Sequence, residues 1–195
     1  MNVLVIAANG REHALAVAYA KSKKVNKVVM TPGNGLTDFN NPKIKNYLNV
    51  PMMDFEGIVG VCKKEQIDLV DVAQDDVIAA GFVDKLEKLG IAAFGPTQKA
   101  SQIEWDKEWA RNFMEKYGLP IPRYKSFRSH DEALSYIHSN SDELVFVKAA
   151  GLALGKGVIR AENKKEAHAN LAHPSFPFKK KNKNFLPFGG LSNSI

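Results

Sequence analysis

Val3-Leu4-Val5-Ile6-Ala7-Ala8-Asn9-Gly10-Arg11-Glu12-His13-Ala14-Leu15 decides the fold of this chain. Four consecutive aliphatic residues are too few for a buried helix and suit a strand covered on both faces. The glycine that comes next breaks the strand, and the spacing predicts a helix from about Arg11 to Ser22. A strand that turns sharply into a helix opens a βαβ unit and leaves the helix N-terminal amides free. Those amides, with Arg11 beside them, favour a bound phosphate. Gly10 is the only glycine in the turn, so the Gly-x-Gly-x-x-Gly spacing of a dinucleotide fold is missing and the reading turns away from a nicotinamide cofactor. His13 taken alone reads as a packing or capping residue of the helix.

The same alternation continues outward from this opening. Lys27–Met30 and Ile44–Asn49 read as strands, Asp54–Glu65 as a helix and Asp68–Val72 as a strand. Apolar residues at helical spacing predict one helix over Ile78–Leu89, stopped by Gly90, and Ile91–Phe94 is the last strand of the unit. The expected class is α/β, with a parallel-sheet, Rossmann-like N-terminal domain. Gly95-Pro96-Thr97 marks the boundary, with Thr97 placed to cap the next helix. Asp106 is a cap for a helix running to Tyr117, with Lys107 in its first turn and Trp109 and Phe113 on one face. Arg123–Phe127, a helix near His130–Ser139, the strand pair Leu144–Lys148 and Val158–Ala161, and a helix from about Asn163 complete the second part. After Ala172 neither period persists, and the lysine-, Gly-, Ser- and Asn-rich end, residues 173–195, is expected to be disordered or non-native.

Composition fits an ordinary globular protein: 45% hydrophobic and 25% charged residues leave ample material for a core in 195 residues. The net charge of +6 is local. Setting aside Lys179, Lys180, Lys181 and Lys183 leaves 23 of the 27 basic residues against 21 acids, and no stacking aromatics accompany the lysine run. No nucleic-acid partner is therefore expected. No apolar run is long enough to cross a bilayer and no leader precedes the first strand, so neither a membrane partner nor export is expected and the setting is read as cytoplasmic. The single cysteine, Cys62, sits in the apolar pattern Ile58-Val59-Val61-Cys62 and reads as a buried helical thiol. No Cys/His cluster suggests a zinc site.

A second informative stretch is Lys148-Ala149-Ala150-Gly151-Leu152-Ala153-Leu154-Gly155-Lys156-Gly157-Val158. It joins two strands, so it reads as a hairpin tip whose glycines turn backbone amides toward an anion while Lys148 and Lys156 supply charge. The bland alternative is a surface hairpin with two solvated lysines. It is not the phosphate loop of nucleotide triphosphatases, since no Ser or Thr comes after Lys156 and the segment enters a strand.

This stretch resembles the flexible phosphate lid of the ATP-grasp superfamily. With Gly10-Arg11-Glu12-His13-Ala14, Pro32-Gly33-Asn34, Phe94-Gly95-Pro96-Thr97, Lys107 and Gly118-Leu119-Pro120, the resemblance narrows to the glycinamide ribonucleotide synthetase (phosphoribosylamine–glycine ligase) family. It covers about Met1–Leu171 and somewhat under half of a full enzyme, so the chain is read as truncated. The resemblance implies a phosphoribosyl-binding domain over 1–96, the opening of an ATP-grasp domain with its lid over 97–172, and the basic tail over 173–195. It assigns Asn9, Gly10, Arg11, Glu12, His13, Asn34 and Asp75 to the substrate, His13 in a supporting role and Asp75 toward ribose hydroxyls. Lys107, Lys148, Gly151, Gly155, Lys156 and Gly157 are assigned to ATP. Ala7, Ala8 and Asn9 stand where the family has more glycine, and Ala150 where an aspartate is common.

The implied reaction ligates glycine to 5-phosphoribosylamine through a glycyl phosphate, using ATP and Mg²⁺. The implied partners are those small molecules. The family's metal carboxylates fall beyond this chain, so no catalytic or metal residue is assigned and little activity is expected of the chain alone. An exposed sheet in the second part would favour self-association. Two alternatives stay open: a phosphoribosyl- or nucleotide-binding module that depends on a partner, and another ATP-grasp carboxylate–amine ligase.

Overall fold

The computed structural model describes residues 1–38, 41–139, 145–148 and 158–172, and the backbone of 188–192. These fall into two compact units, Met1–Ser101 and Gln102–Ile195.

The first unit is a parallel sheet with helices on both faces. Its strands are β1 (Asn2–Ala7), β2 (Lys27–Pro32), β3 (Ile44–Asn46), β4 (Leu69–Val72) and β5 (Ala93–Phe94), in the order β3-β2-β1-β4-β5. Parallel pairing runs Val3↔Val28 through Ile6↔Thr31 on one side of β1 and Val3↔Leu69 through Ile6↔Val72 on the other. Side-chain alternation sends Val3, Val5 and Ala7 to the face covered by α1 (Gly10–Lys21), where they pack with Ala16 and Ala20. Leu4 and Ile6 face the opposite way, onto α2 (Phe55–Lys64), α3 (Asp75–Ala79) and α4 (Phe82–Lys88). Val3, Leu4, Val5, Ile6 and Ala7 are all fully buried, which is why β1 is a continuous apolar run. The order reverses between β1 and β4, and an open α/β sheet binds ligands outside the carboxyl ends of its strands at such a point.

The cap expected at Asp106 is present, and Asp54, read as the first residue of its helix, is that helix's cap. Asp54 Oδ1 accepts from the Gly57 amide at 3.0 Å, and Asp106 Oδ1 from the Trp109 amide at 3.0 Å. Cys62 is buried on α2, and burial pushes its thiol up to about 11. The single helix expected over Ile78–Leu89 is two helices, α3 and α4, because Gly81 adopts the left-handed region (φ 74°) between them. Periodicity missed the break because the apolar spacing continues across it.

The second unit contains α5 (Gln102–Trp105), α6 (Lys107–Lys116), β6 (Tyr124–Phe127), α7 (His130–Ser139), β7 (Val145–Lys148), β8 (Val158–Ala161), α8 (Lys164–Ala172) and β9 (Phe188–Ser192). Its antiparallel sheet has the order β6-β9-β7-β8. Phe127, Val147 and Ala161 pack with Ala133, Ile137, Ala167 and Leu171 of α7 and α8. Trp109 stacks on Phe113 with centroids 5.0 Å apart, as their spacing on one helix face requires. Strand β9 corrects the expectation that residues 173–195 hold no regular element. Phe-Gly-Gly-Leu-Ser has little strand propensity, and its backbone is ordered by the ladders on both sides, from β6 and β7.

Candidate functional site

The carboxyl end of the first sheet gathers polar groups that its own fold leaves unpartnered. Helix α1 begins at Gly10, and its N-cap, Asn9, makes no side-chain hydrogen bond to the helix. The first-turn amides therefore lack the usual cap. Asn9, Gly10 and Arg11 are exposed, and a Cβ built on Gly10 meets nothing within 4 Å. Among the described residues no neighbour requires glycine there. Glu12 points the other way: it is 1% exposed, its Oε1 lies 3.5 Å from Arg11 Nε, and its Oε2 has no partner among the described residues.

Beneath α1, Asp71 of β4 accepts a 2.8 Å hydrogen bond from Tyr19. Burial is the largest cause holding the Asp71 carboxyl above its ordinary range, with the nearby Glu12 charge acting in the same direction. Burial and the bond to Asp71 push the Tyr19 hydroxyl up to about 12.

The loop after β2 supplies the next group. Asn34 Oδ1 accepts from the Leu36 amide at 3.0 Å and from the Thr37 hydroxyl at 2.6 Å, and Thr37 Oγ1 lies 3.2 Å from His13 Nδ1. The structure thus joins the predicted residues Asn34 and His13 through a third, Thr37, that the sequence did not single out. Gly33 holds this loop in the left-handed region (φ 76°), and a Cβ there would lie 2.3 Å from Asn46 Oδ1. Asn46 ends β3 with both side-chain polar atoms buried and unpartnered; Thr31 Oγ1 near the end of β2 and Gln74 Nε2 just after β4 are alike. Each such atom costs about 1–3 kcal/mol unless something satisfies it.

Asp75 sits in the first turn of α3, half-buried, and makes no hydrogen bond with the other predicted residues. The adjoining Gln74 is 8% exposed with its amide nitrogen unpartnered, and carries the stronger mark of a ligand contact. Thr31 and Gln74 shared a readable signal: each is the first polar residue after the apolar end of a parallel strand, whereas Asn46 comes after Lys45 and carried no such mark.

In the second unit, Lys107 opens α6 and Lys148 ends β7, and both are half-buried. The Lys148 ammonium is held below its ordinary pKa by burial first, then by the positive charges of Arg111 and Lys107. Its Nζ lies 5.7 Å from the Phe146 ring centroid. Arg111, one turn after Lys107, is the residue sequence reading missed; the i, i+4 spacing of two cations on one helix was the available signal. The two cations around the half-buried Lys148 ammonium and that ammonium repel one another, and an anion among the three reverses the sign of that energy. The predicted lid residues Gly151, Gly155, Lys156 and Gly157, and Ala150, lie outside the described residues.

Among the described residues no group of three or more His, Cys, Asp or Glu is placed to hold a metal ion. The described residues do not fit a Mg²⁺ centre. No described helix is long and apolar enough to cross a membrane.

A doubly wound parallel sheet with an uncapped helix end at its carboxyl edge and an antiparallel sheet bearing a cation cluster make up a chain whose second unit matches the opening of an ATP-grasp domain. The N-domain profile of phosphoribosylglycinamide synthetase matches residues 1–104 and its ATP-grasp (A) domain profile residues 105–176; the chain belongs to the phosphoribosylglycinamide synthetase family.

Among curated relatives, the phosphoribosylamine–glycine ligase of Neisseria meningitidis serogroup B is 41% identical over 169 residues, 87% of this chain and 39% of that protein. That of Fusobacterium nucleatum is 37% identical over 171 residues, 88% and 39%. The trifunctional purine biosynthetic protein adenosine-3 of Gallus gallus is 43% identical over 165 residues, 85% and 16%. The chain thus spans about two fifths or less of the length of these relatives. Among solved structures, the phosphoribosylamine–glycine ligase of Thermotoga maritima superposes with a TM-score of 0.73 at 22% identity, over 100% of this chain and 44% of that one. The Campylobacter jejuni biotin carboxylase complex gives 0.67 at 17% identity, over 99% and 45%. At these identities both bear on the fold.

Proposed function

We propose that the chain carries the phosphoribosyl-binding unit and the opening of the ATP phosphate site of a phosphoribosylamine–glycine ligase. The observation that carries this reading is the pair of unpartnered amide side chains, Asn46 and Gln74, at the carboxyl edge of the same sheet whose β1 leads into the uncapped N-terminus of α1. In the proposed reaction the γ-phosphoryl group of ATP passes to the glycine carboxylate, giving a glycyl phosphate and ADP. The amine of 5-phosphoribosylamine attacks the acyl carbon, inorganic phosphate leaves, and the new amide nitrogen gives up a proton. Such chemistry asks the protein for position and charge neutralisation more than for acid–base groups.

Each residue then has a task. The α1 amides and Arg11 hold the 5-phosphate. Asn9, Glu12, His13, Asn34 and Asp75, with Asn46 and Gln74, take the ribose and amine. Lys107, Arg111 and Lys148 neutralise ATP phosphates, and the resemblance assigns Gly151, Gly155, Lys156 and Gly157 to the same ligand. A phosphoribosyl ligand rather than a free nucleotide suits the first unit because the uncapped helix end stands beside neutral amide side chains. A cytoplasmic setting and self-association through the edge strand β8 belong to the same proposal; light scattering that returns only monomer would remove the latter.

Calorimetry tests the reading. Ribose 5-phosphate should bind the 195-residue chain, and Arg11→Ala should weaken that binding about tenfold. The chain alone should not release phosphate from ATP in response to glycine and phosphoribosylamine. Absence of any ribose 5-phosphate heat, or steady turnover by the chain alone, would contradict it.

A further inference from the structure

The hydrogen bonds around Thr37 fix which nitrogen of His13 carries a proton. An amide N–H can only donate, so the 3.0 Å contact from Leu36 N establishes Asn34 Oδ1 as an acceptor. The Thr37 hydroxyl has one proton, and its 2.6 Å contact to that same oxygen spends it there. Thr37 Oγ1 is left with lone pairs only, so at 3.2 Å from His13 Nδ1 it must accept. His13 Nδ1 therefore bears the hydrogen. Thr37 is 2% exposed, so bulk water does not compete for the arrangement. The bond made by one ring nitrogen sets the state of the other: neutral His13 presents an unprotonated Nε2. No described residue hydrogen-bonds that nitrogen, and it is not among the buried unpartnered atoms.

We propose that Thr37 is a positioning residue that locks His13 in the Nδ1–H tautomer, so that Nε2 accepts a hydrogen bond from an N–H or O–H group of the ligand. This rests on the phosphoribosyl reading of the first unit and sharpens it. While the His13 ring is neutral its Nε2 cannot donate, and phosphate oxygens then fall to the α1 amides and Arg11. What it reads is the donor end of the ligand, the amine or a ribose hydroxyl. Asn34 acts at one remove, because its oxygen orients the Thr37 proton.

The test is ¹⁵N NMR of the full chain labelled on histidine, at a pH where the ring is neutral, with His13→Gln to assign the signal among the five histidines. The expected spectrum shows a pyrrole-type Nδ1 and a pyridine-type Nε2 for His13; the reverse pattern overturns the proposal without recourse to any variant. Thr37→Val, which keeps shape and removes the hydroxyl, should populate the Nε2–H tautomer and weaken ribose 5-phosphate about tenfold, and Thr37→Ser should restore both. An unchanged tautomer in a folded Thr37→Val chain overturns the role of Thr37. Ribose 5-phosphate should move the Nε2 signal of the wild-type chain. Binding that leaves Nε2 unmoved overturns the donor assignment alone. Absence of binding overturns that assignment together with the phosphoribosyl reading, while the tautomer still decides the role of Thr37.

Discussion

The two sheets achieve binding groups in opposite ways. In the first unit the central strand is buried along Val3–Ala7, both faces are covered, and the polar chemistry is confined to the ends of the strands. In the second, β7 and β8 bury one residue in each strand fully, Val147 and Ala161, and the charged groups lie on the half-exposed remainder. A parallel sheet buried on both faces can hold neutral polar side chains unpartnered, because its core supplies the energy that each orphan costs. A half-covered antiparallel sheet has a smaller core to draw on, and its cations are half-buried and repel one another; in the proposed reading an anion relieves that repulsion.

Two natural reporters allow the units to be read separately. Cys62, the only cysteine, is in the first, and the only two tryptophans, Trp105 and Trp109, are in the second. The largest effect is expected for Leu4→Ala, which empties a fully buried site in the first core and should cost about 3 kcal/mol, seen as earlier exposure of the Cys62 thiol to a thiol reagent. Val147→Ala removes less from the smaller second core, about 2 kcal/mol, and should move the tryptophan transition instead. If each variant shifts both reporters equally, the units are one cooperative block and the comparison fails.

Next comes Gly33→Ala, which combines a left-handed backbone with a side chain driven onto Asn46 and should cost about 2 kcal/mol. Lys148→Met should weaken ATP binding about tenfold, by calorimetry, while leaving the second unit as stable as before. Its ammonium is the disfavoured form in the fold, so wild-type stability should rise as pH climbs toward the ordinary lysine pKa and that slope should vanish in the variant. A clear loss of stability in Lys148→Met would remove the cation-cluster account.

Glu65 gives the acid-side counterpart in the first unit. Bonds from Lys27, Lys45 (2.8 Å) and Tyr47 hold its carboxyl down at about 2. Its stabilising contribution is therefore complete above the ordinary glutamate range and is lost as pH falls through about 2. Glu65→Gln should cost about 1 kcal/mol at neutral pH, the lysines being partly solvated, and should flatten acid unfolding followed by Cys62. The smallest change in stability, within about 0.5 kcal/mol, is expected for Gly10→Ala, because no atom of the described residues opposes a methyl group there. Its ribose 5-phosphate affinity should nonetheless fall, and an unaltered affinity would move the ligand away from the α1 terminus.

Much of this was legible in the sequence, for reasons that differ along the chain. Val3–Ile6, the Asp106 cap and the Trp109–Phe113 face are local patterns, and local hydrogen bonds and packing realise them. The split at Gly81 was hidden because apolar spacing runs through it. Strand β9 owes its conformation to two neighbouring ladders, which no window of Phe-Gly-Gly-Leu-Ser could announce. Within the site, Asn9 to His13 and Asn34 stood in recognisable motifs. Asn46, Gln74, Thr37 and Arg111 matter through what the fold places beside them, so their roles follow from burial and hydrogen-bond accounting rather than from spacing alone.

The most direct test of the central claim is a pair of NMR titrations of the ¹⁵N-labelled full chain, one with ribose 5-phosphate and one with a non-hydrolysable ATP analogue. The account predicts that ribose 5-phosphate perturbs Asn9–His13, Asn34, Thr37, Asn46 and Gln74, and that the analogue perturbs Lys107, Arg111 and Lys148. Both ligands perturbing a single set of residues, or ribose 5-phosphate leaving the carboxyl edge of the first sheet untouched, would contradict it.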